Sequence, residues 1–179
     1  MSQKDARIDR SLVAAEFAAV EAIRPVFFMK LSTRARYAIR VLLDIAERIH
    51  QERPIQLNDV AGRTGISRRY LDQIVMPLKS AGLLIGTKGR HGGYQLSKEP
   101  AEIPLLDIVE ATIGPVNLVE CVQSPQTCER SAECPARLIY RLLSANMRTV
   151  LTAYTLEDLS NKGVLAEIEQ KVDALEAAL

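Results

Sequence analysis

From Ser32 onward apolar residues recur at intervals of three and four, with Ala38, Leu42, Ile45 and Ile49 on one stripe, and this period predicts an amphipathic helix. Ser32 or Thr33 supplies the oxygen that caps its start, and Pro54 closes the helical region. A short second helix is predicted at about 57–64, capped by Asn58, with Leu57, Val60 and Ala61 facing inward. Gly65 permits a tight turn, and a third helix begins at Ser67 with Leu71, Ile74, Val75 and Leu78 as its apolar face. Pro77 is expected to kink or restart that helix, because it has no N–H for the Gln73 carbonyl. Segments 83–87 and 93–97 read as two short strands around a loop holding Gly89, Gly92 and Gly93. Three helices followed by a hairpin predict a winged helix.

Beyond Pro100 the pattern changes. Segment 104–113 predicts a helix with Pro104 at its first position and Gly114-Pro115 as its stop, and the polar stretch around Pro125 predicts a loop. Pro135 opens a long helix with two stripes: Ile139, Leu143, Met147, Val150 and Tyr154, and beside it Leu138, Leu142 and Ala145. So wide an apolar face exceeds what packing on one small domain requires, which predicts a dimer seam. A last helix carries Val164, Leu165, Ile168, Val172 and Leu175. Before all of this, residues 1–28 stand apart. Segment 11–23 is amphipathic but is interrupted by Pro25, and it is either an extra helix or sequence upstream of a start at Met29. The predicted fold is mainly α, a winged helix-turn-helix with a long C-terminal dimerisation helix. Its divisions are 1–28, an extension; 29–100, DNA-binding; 101–160, cysteine loop and dimerisation helix; and 161–179, a helical tail.

Charge sharpens that division. The net charge of +1 over 179 residues conceals thirteen Lys or Arg against six Asp or Glu in residues 29–100, and six against twelve in residues 101–179. Only the first of these halves suits a polyanion. No apolar run approaches the roughly twenty residues that cross a bilayer, and no secretory signal opens the chain, so it is expected in the cytoplasm. In that reducing compartment three cysteines favour a metal or redox role over a disulfide.

A helix-turn-helix reader presents polar side chains at the start of its second helix, where they reach base edges in the major groove. Ser67, Arg68, Arg69, Tyr70, Asp72 and Gln73 fit that role, against the alternative of a solvated helix face. Lys88, Arg90 and His91 sit among wing glycines that let the backbone approach a phosphate or the minor groove. A nucleotide cradle is the weaker reading there, since no Gly-Lys-Ser follows. Lys30, Ser32, Thr33, Arg34, Arg36 and Tyr37 are candidates for further phosphate contacts. With only His50 and His91 as imidazole bases and no nucleophile or nucleotide motif, an enzyme is not expected.

Cys121, Cys128 and Cys134 are spaced C-x6-C-x5-C. Structural zinc sites usually space their ligands about two to four residues apart and use four, whereas wider intervals suit an iron–sulfur cluster. Three unrelated structural cysteines are the remaining alternative.

The stretches MKLSTRARYAIRVLLDIA (29–46), ISRRYLDQIVMPLKSAGLL (66–84) and KGRHGGYQL (88–96), followed by the three-cysteine loop, resemble the IscR-like, or Rrf-two, family of bacterial transcription regulators. The resemblance covers about residues 29–160. It implies a homodimer whose long C-terminal helices cross between subunits, bound to a double-stranded DNA operator and acting most often as a repressor. It also implies a cluster on Cys121, Cys128 and Cys134 that senses iron–sulfur supply, redox state or nitric oxide. By position Ser67, Arg69 and Asp72 match recognition-helix residues, and Lys88 matches a basic wing residue. The fourth ligand departs from the family: Arg137 stands where some members place His, and Arg36 where others place Asp. The expectation is therefore a 4Fe-4S cluster on three thiolates, with one iron held by a small molecule or by Glu120 or Glu133, and 2Fe-2S as the alternative. Two other readings stay open: a cluster-free thiol- or metal-responsive DNA-binding regulator, and a winged-helix protein-interaction module.

Overall fold

The Ser32 hydroxyl takes the cap of the first described helix, α1 (Thr33–Ala46), accepting from the Ala35 N–H at 3.2 Å. The computed structural model describes residues 31–49 and 53–178, so the expectations for residues 1–28 and for Lys30 fall outside it. Ala35, Ala38, Val41, Leu42 and Ile45 form the buried face of α1. The helix stops at Ala46 rather than running on toward Pro54, and Ile49 sits half-buried in the turn that follows.

Helix α2 (Leu57–Thr64) has the predicted span but not the predicted cap. Gln56 is its N-cap, without a side-chain bond, and Asn58 lies exposed inside the first turn. Leu57 and Val60 must reach the core, and that fixes the helix one position earlier than the Asn58 signal suggested. Gly65, with φ at 69°, ends α2 in the left-handed conformation that glycine adopts without strain. Ser67 then caps α3 (Arg68–Ser80), its Oγ accepting from Tyr70 N–H at 3.4 Å. Pro77 lies inside α3 without restarting it. Leu78 is fully buried beyond the proline, so core packing carries the helix across one missing bond.

Strands β1 (Leu84–Thr87) and β2 (Gly93–Leu96) pair antiparallel, Leu84 opposite Leu96 and Thr87 opposite Gly93. The wing is also stitched to the segment before α2, since Ile55 and Tyr94 exchange N–H···O bonds at 2.9 and 2.8 Å. That approach requires glycine at 93, where a Cβ would lie 2.5 Å from the Ile55 carbonyl oxygen.

Helix α4 (Leu105–Ile113) begins one residue after Pro104, which serves as its N-cap, and Gly114 closes it. A short helix, α5 (Glu120–Gln123), and a 3-10 turn (Pro125–Thr127) occupy the stretch expected to be irregular throughout. The long helix α6 (Pro135–Ala153) follows with Cys134 as its N-cap, and α7 (Lys162–Glu176) ends the described chain. Leu42, Ile45, Leu71, Ile74, Leu78, Ile103, Ile108 and Leu156 form the centre of the core, joining α1, α3 and α4. A smaller cluster of Ala35, Leu106, Val109 and Val116 receives Met147 and Leu151 from α6. The architecture is thus mainly helical, a winged helix-turn-helix backed by α4 and a long C-terminal helix. No helix among the described residues is long and apolar enough to cross a membrane.

Candidate functional site

Helix α3 buries one face and leaves Arg69, Asp72, Gln73 and Met76 outward at steps of three and four. Arg68 and Asp72 form an i,i+4 ion pair on this surface, so the Asp72 carboxylate is engaged within its own helix. Arg69 and Gln73 are exposed. Met76 is 60% exposed, a methyl-bearing side chain suited to a thymine C5-methyl and absent from the candidates drawn from polarity alone.

An open groove of about 400 Å³ lies between α3, the wing and the start of α2. Arg68, Lys79, Lys88 and Arg90 line it together with the backbone of four glycines, and no described lining residue is acidic. His91 is exposed at the wing tip but does not line the groove. Gln56, Asn58 and Lys79 line it although sequence reasoning did not single them out; the Gln56 side chain donates to the Arg90 carbonyl at 3.4 Å. Only the fold brings the start of α2 beside the wing. Lys79, Lys88 and Arg90 beside a glycine-rich backbone, with no acidic residue in the lining, are suited to a sugar-phosphate backbone.

The α1 candidates divide. Thr33, Arg34 and Arg36 are exposed, with Arg36 donating to Thr33 Oγ1 at 3.3 Å, whereas the Ser32 hydroxyl serves as a cap. Tyr37 and Tyr70 are half-buried and packed on the core, their rings T-shaped with centroids 5.8 Å apart and planes at 84°. Their rings brace α1 against α3, and Arg40 lies 5.5 Å from the Tyr37 centroid while donating to the Thr64 carbonyl at 2.8 Å.

Behind the reading helix sits a charged cluster that the sequence did not announce. Asp44, 8% exposed, accepts from Arg63 Nε and Nη2 at 2.7 Å each and from Arg48 Nη1 at 3.0 Å. The bidentate fork fixes the last turn of α2 against α1, just before the Gly65 turn into α3. The Asp44 hydrogen bond, opposed by burial, holds the Arg63 guanidinium above its ordinary pKa.

The three cysteines sit in different settings. Cys121 on α5 and Cys134 at the start of α6 are half-buried, while Cys128 is exposed after the 3-10 turn; all three are free thiols. Arg137 joins the first two, its N–H donating to the Cys134 carbonyl at 3.2 Å and its Nε to the Cys121 carbonyl at 2.8 Å. Glu120 and Glu133 are exposed. Among the described residues no three His, Cys, Asp or Glu side chains converge closely enough to hold one metal ion. The donors suit a thiolate-bound cluster in their chemistry, three sulfurs within one short stretch, but a shared site requires the three to be drawn closer together.

On α6, Ser144 is 2% exposed and its Oγ accepts from Leu118 N–H at 3.1 Å, and Met147 and Leu151 pack on the same side. Most of the two stripes predicted for this helix faces outward in the single chain: Leu138, Ile139, Leu142, Leu143 and Val150 are exposed, and Met147 and Tyr154 are half-buried.

The chain matches, over residues 31–162, the Rrf2 family described as "Iron-dependent Transcriptional regulator". It is 42% identical to protein rrf2 of Nitratidesulfovibrio vulgaris across 73% of this chain and 87% of that relative. It is also 32% identical to the transcriptional regulator IscR of Photorhabdus laumondii, across 81% and 87%. Among solved structures, CymR, "the Global Cysteine Regulator of B. subtilis", superposes with a TM-score of 0.59 at 33% identity, covering 74% of this chain and 96% of that one. With the reading helix, wing and cysteine loop in this order, the chain belongs to the Rrf2 family of winged helix-turn-helix transcription regulators, a family of DNA-binding proteins rather than enzymes.

Proposed function

We propose that the chain acts as a homodimer on a double-stranded operator, that α3 enters the major groove, and that the cysteine loop holds an iron–sulfur cluster that governs promoter binding. The observation that carries the DNA half of this reading is the acid-free cationic groove joining α3 to the wing. Arg69 and Gln73 read base edges, while Lys88 and Arg90 engage phosphates. Arg69→Ala is expected to cost about 1–3 kcal/mol on the preferred operator and less on random DNA. Arg90→Ala weakens both alike and reduces the slope of log K against log salt by about 1. Fluorescence anisotropy over a salt series measures both, and equal effects from the two variants would overturn these roles.

The cluster half rests on the thiol donor set and on similarity to IscR. A bound cluster would supply redox chemistry and an iron open to oxygen, nitric oxide or thiols. Cys121, Cys128 and Cys134 are its ligands in this reading. Protein purified without oxygen is expected to show charge-transfer absorption with about four irons and four sulfides per chain. Stoichiometry near two of each makes the cluster 2Fe-2S, and colourless protein refutes the reading.

A second reading makes the cysteines a thiol switch without metal. The exposure of Cys128, a free thiol open to solvent, favours it. Under it Cys121→Ala changes operator affinity even in iron-free protein.

A further inference from the structure

Among the described residues, hydrogen bonds and an ion pair fasten the cysteine loop to α6 along one of its arms. On the arm leading to Cys121, Glu110 forms an ion pair with Arg148 and accepts from Val116 N–H at 3.1 Å, and Leu118 N–H donates to Ser144 Oγ at 3.1 Å. Arg137 then takes the Cys121 carbonyl at 2.8 Å. These attachments lie at residues 137, 144 and 148 of α6, about two turns and then one turn apart, so this arm runs along the helix flank. The other arm, residues 124–133, makes local turns: Cys128 N–H to the Pro125 carbonyl at 3.3 Å, and Ser131 N–H to the Cys128 carbonyl at 3.0 Å.

We propose that Arg137 is the positioning residue of the cysteine loop: its guanidinium docks Cys121 on the first turn of α6 beside Cys134, which divides the three cysteines into a held pair and an exposed Cys128. The bond has the strength such a role needs. Its donor carries a full charge, it is half-buried, and Nε is fixed by the plane of the guanidinium. The backbone of Arg137 also bonds Cys134, so one residue spans both cysteine-bearing segments. Chemically, the two bonds hold the main chain at Cys121 and Cys134, and Cys128 is the exposed thiol that meets solvent-borne electrophiles first. The inference rests on reading this loop as the sensory element, but the division among the thiols requires no metal.

The test is timed alkylation of the full-length, reduced, metal-free protein with iodoacetamide, each cysteine followed by peptide mass spectrometry. In the wild-type protein Cys128 is expected to react fastest. Arg137→Ala should raise the Cys121 rate about tenfold, the equivalent of one charge-assisted hydrogen bond, and leave Cys128 unchanged. Arg137→Lys, which keeps a charged donor, should restore most of the protection. An unchanged Cys121 rate in the alanine variant, a uniform rise at all three cysteines, or equal wild-type rates at Cys121 and Cys128 overturns the proposal. Iron and sulfide content after anaerobic loading is measured on the same variants. A wild-type protein that takes up neither sinks the cluster reading and leaves the alkylation result to decide Arg137.

Discussion

Leu142→Glu is expected to convert the proposed dimer to monomers and to weaken operator binding at least about a hundredfold, because two half-sites are then no longer engaged together. Leu142 is 59% exposed in the single chain, so a carboxylate there costs the monomer fold little. In a two-fold seam the substitution enters twice, and each copy places an unpaired charge among Leu138, Ile139, Leu143 and Val150. Burying five such side chains per subunit contributes about 1.5–3 kcal/mol each before association costs, enough for a stable dimer and too little to absorb two buried charges. Sedimentation equilibrium gives the mass, and far-ultraviolet circular dichroism confirms that the helices persist. A variant that remains dimeric with full affinity would place the seam on another face.

Asp44→Ala should lower unfolding free energy by about 3 kcal/mol, a drop in Tm on the order of 6–12 °C for a unit of this size. The carboxylate satisfies two arginines at once, and its removal strips Arg63 of its bidentate partner at the last turn of α2, while Arg48 keeps the carbonyl of residue 44 and Glu47. Both reach solvent in part, and that keeps the figure at the low end for broken buried pairs. Asp44→Asn preserves shape and an acceptor, and should lose about half as much. Because Arg63 has a raised pKa when folded, its share of this stability is full below the ordinary guanidinium range and is lost only as pH rises past the raised value. The difference between Asp44 variants on the Arg63 side should therefore stay flat across neutral and mildly alkaline pH. Thermal melts of the alanine variant within about 0.5 kcal/mol of wild type would show that water replaces the lost partner.

What was legible in the sequence was local. The Ser32 and Ser67 caps, the Gly65 turn and the glycine-rich hairpin each follow from a few neighbouring residues, and all four are present. Errors arose where tertiary packing outweighed a local signal. Asn58 is a good capping residue, but burial of Leu57 pulls the helix start back to Gln56. Pro77 breaks one hydrogen bond, but Leu78 and the core beneath it hold the helix through. Tyr37 and Tyr70 looked like polar readers until the fold set one ring against the edge of the other. The stripes on α6 had the right period, but a hydrophobic period cannot say which apolar residues meet the body, and only Met147 and Tyr154 of the two sets do so. Contacts between distant residues left no trace at all: Asp44 with Arg63, and Arg137 with Cys121, depend on chain folding and not on spacing.

Just beyond the end of α6 the main chain returns to the body, with Leu105 N–H bonded to the Tyr154 carbonyl and Leu156 N–H to the Ile103 carbonyl, both at 2.9 Å, and Leu156 sealed in the core. The helix is clamped at that end and braced toward its middle by Ser144 and Arg148, with Cys134 at its far tip. Nineteen residues give it a reach of about 28 Å, so a displacement of about 2 Å at Cys134 swings it through only about 4° about the clamp. Chemistry at the tip therefore reaches the rest of the molecule as a change of angle, and two such beams leaning on each other would splay or close their reading heads like the jaws of a caliper.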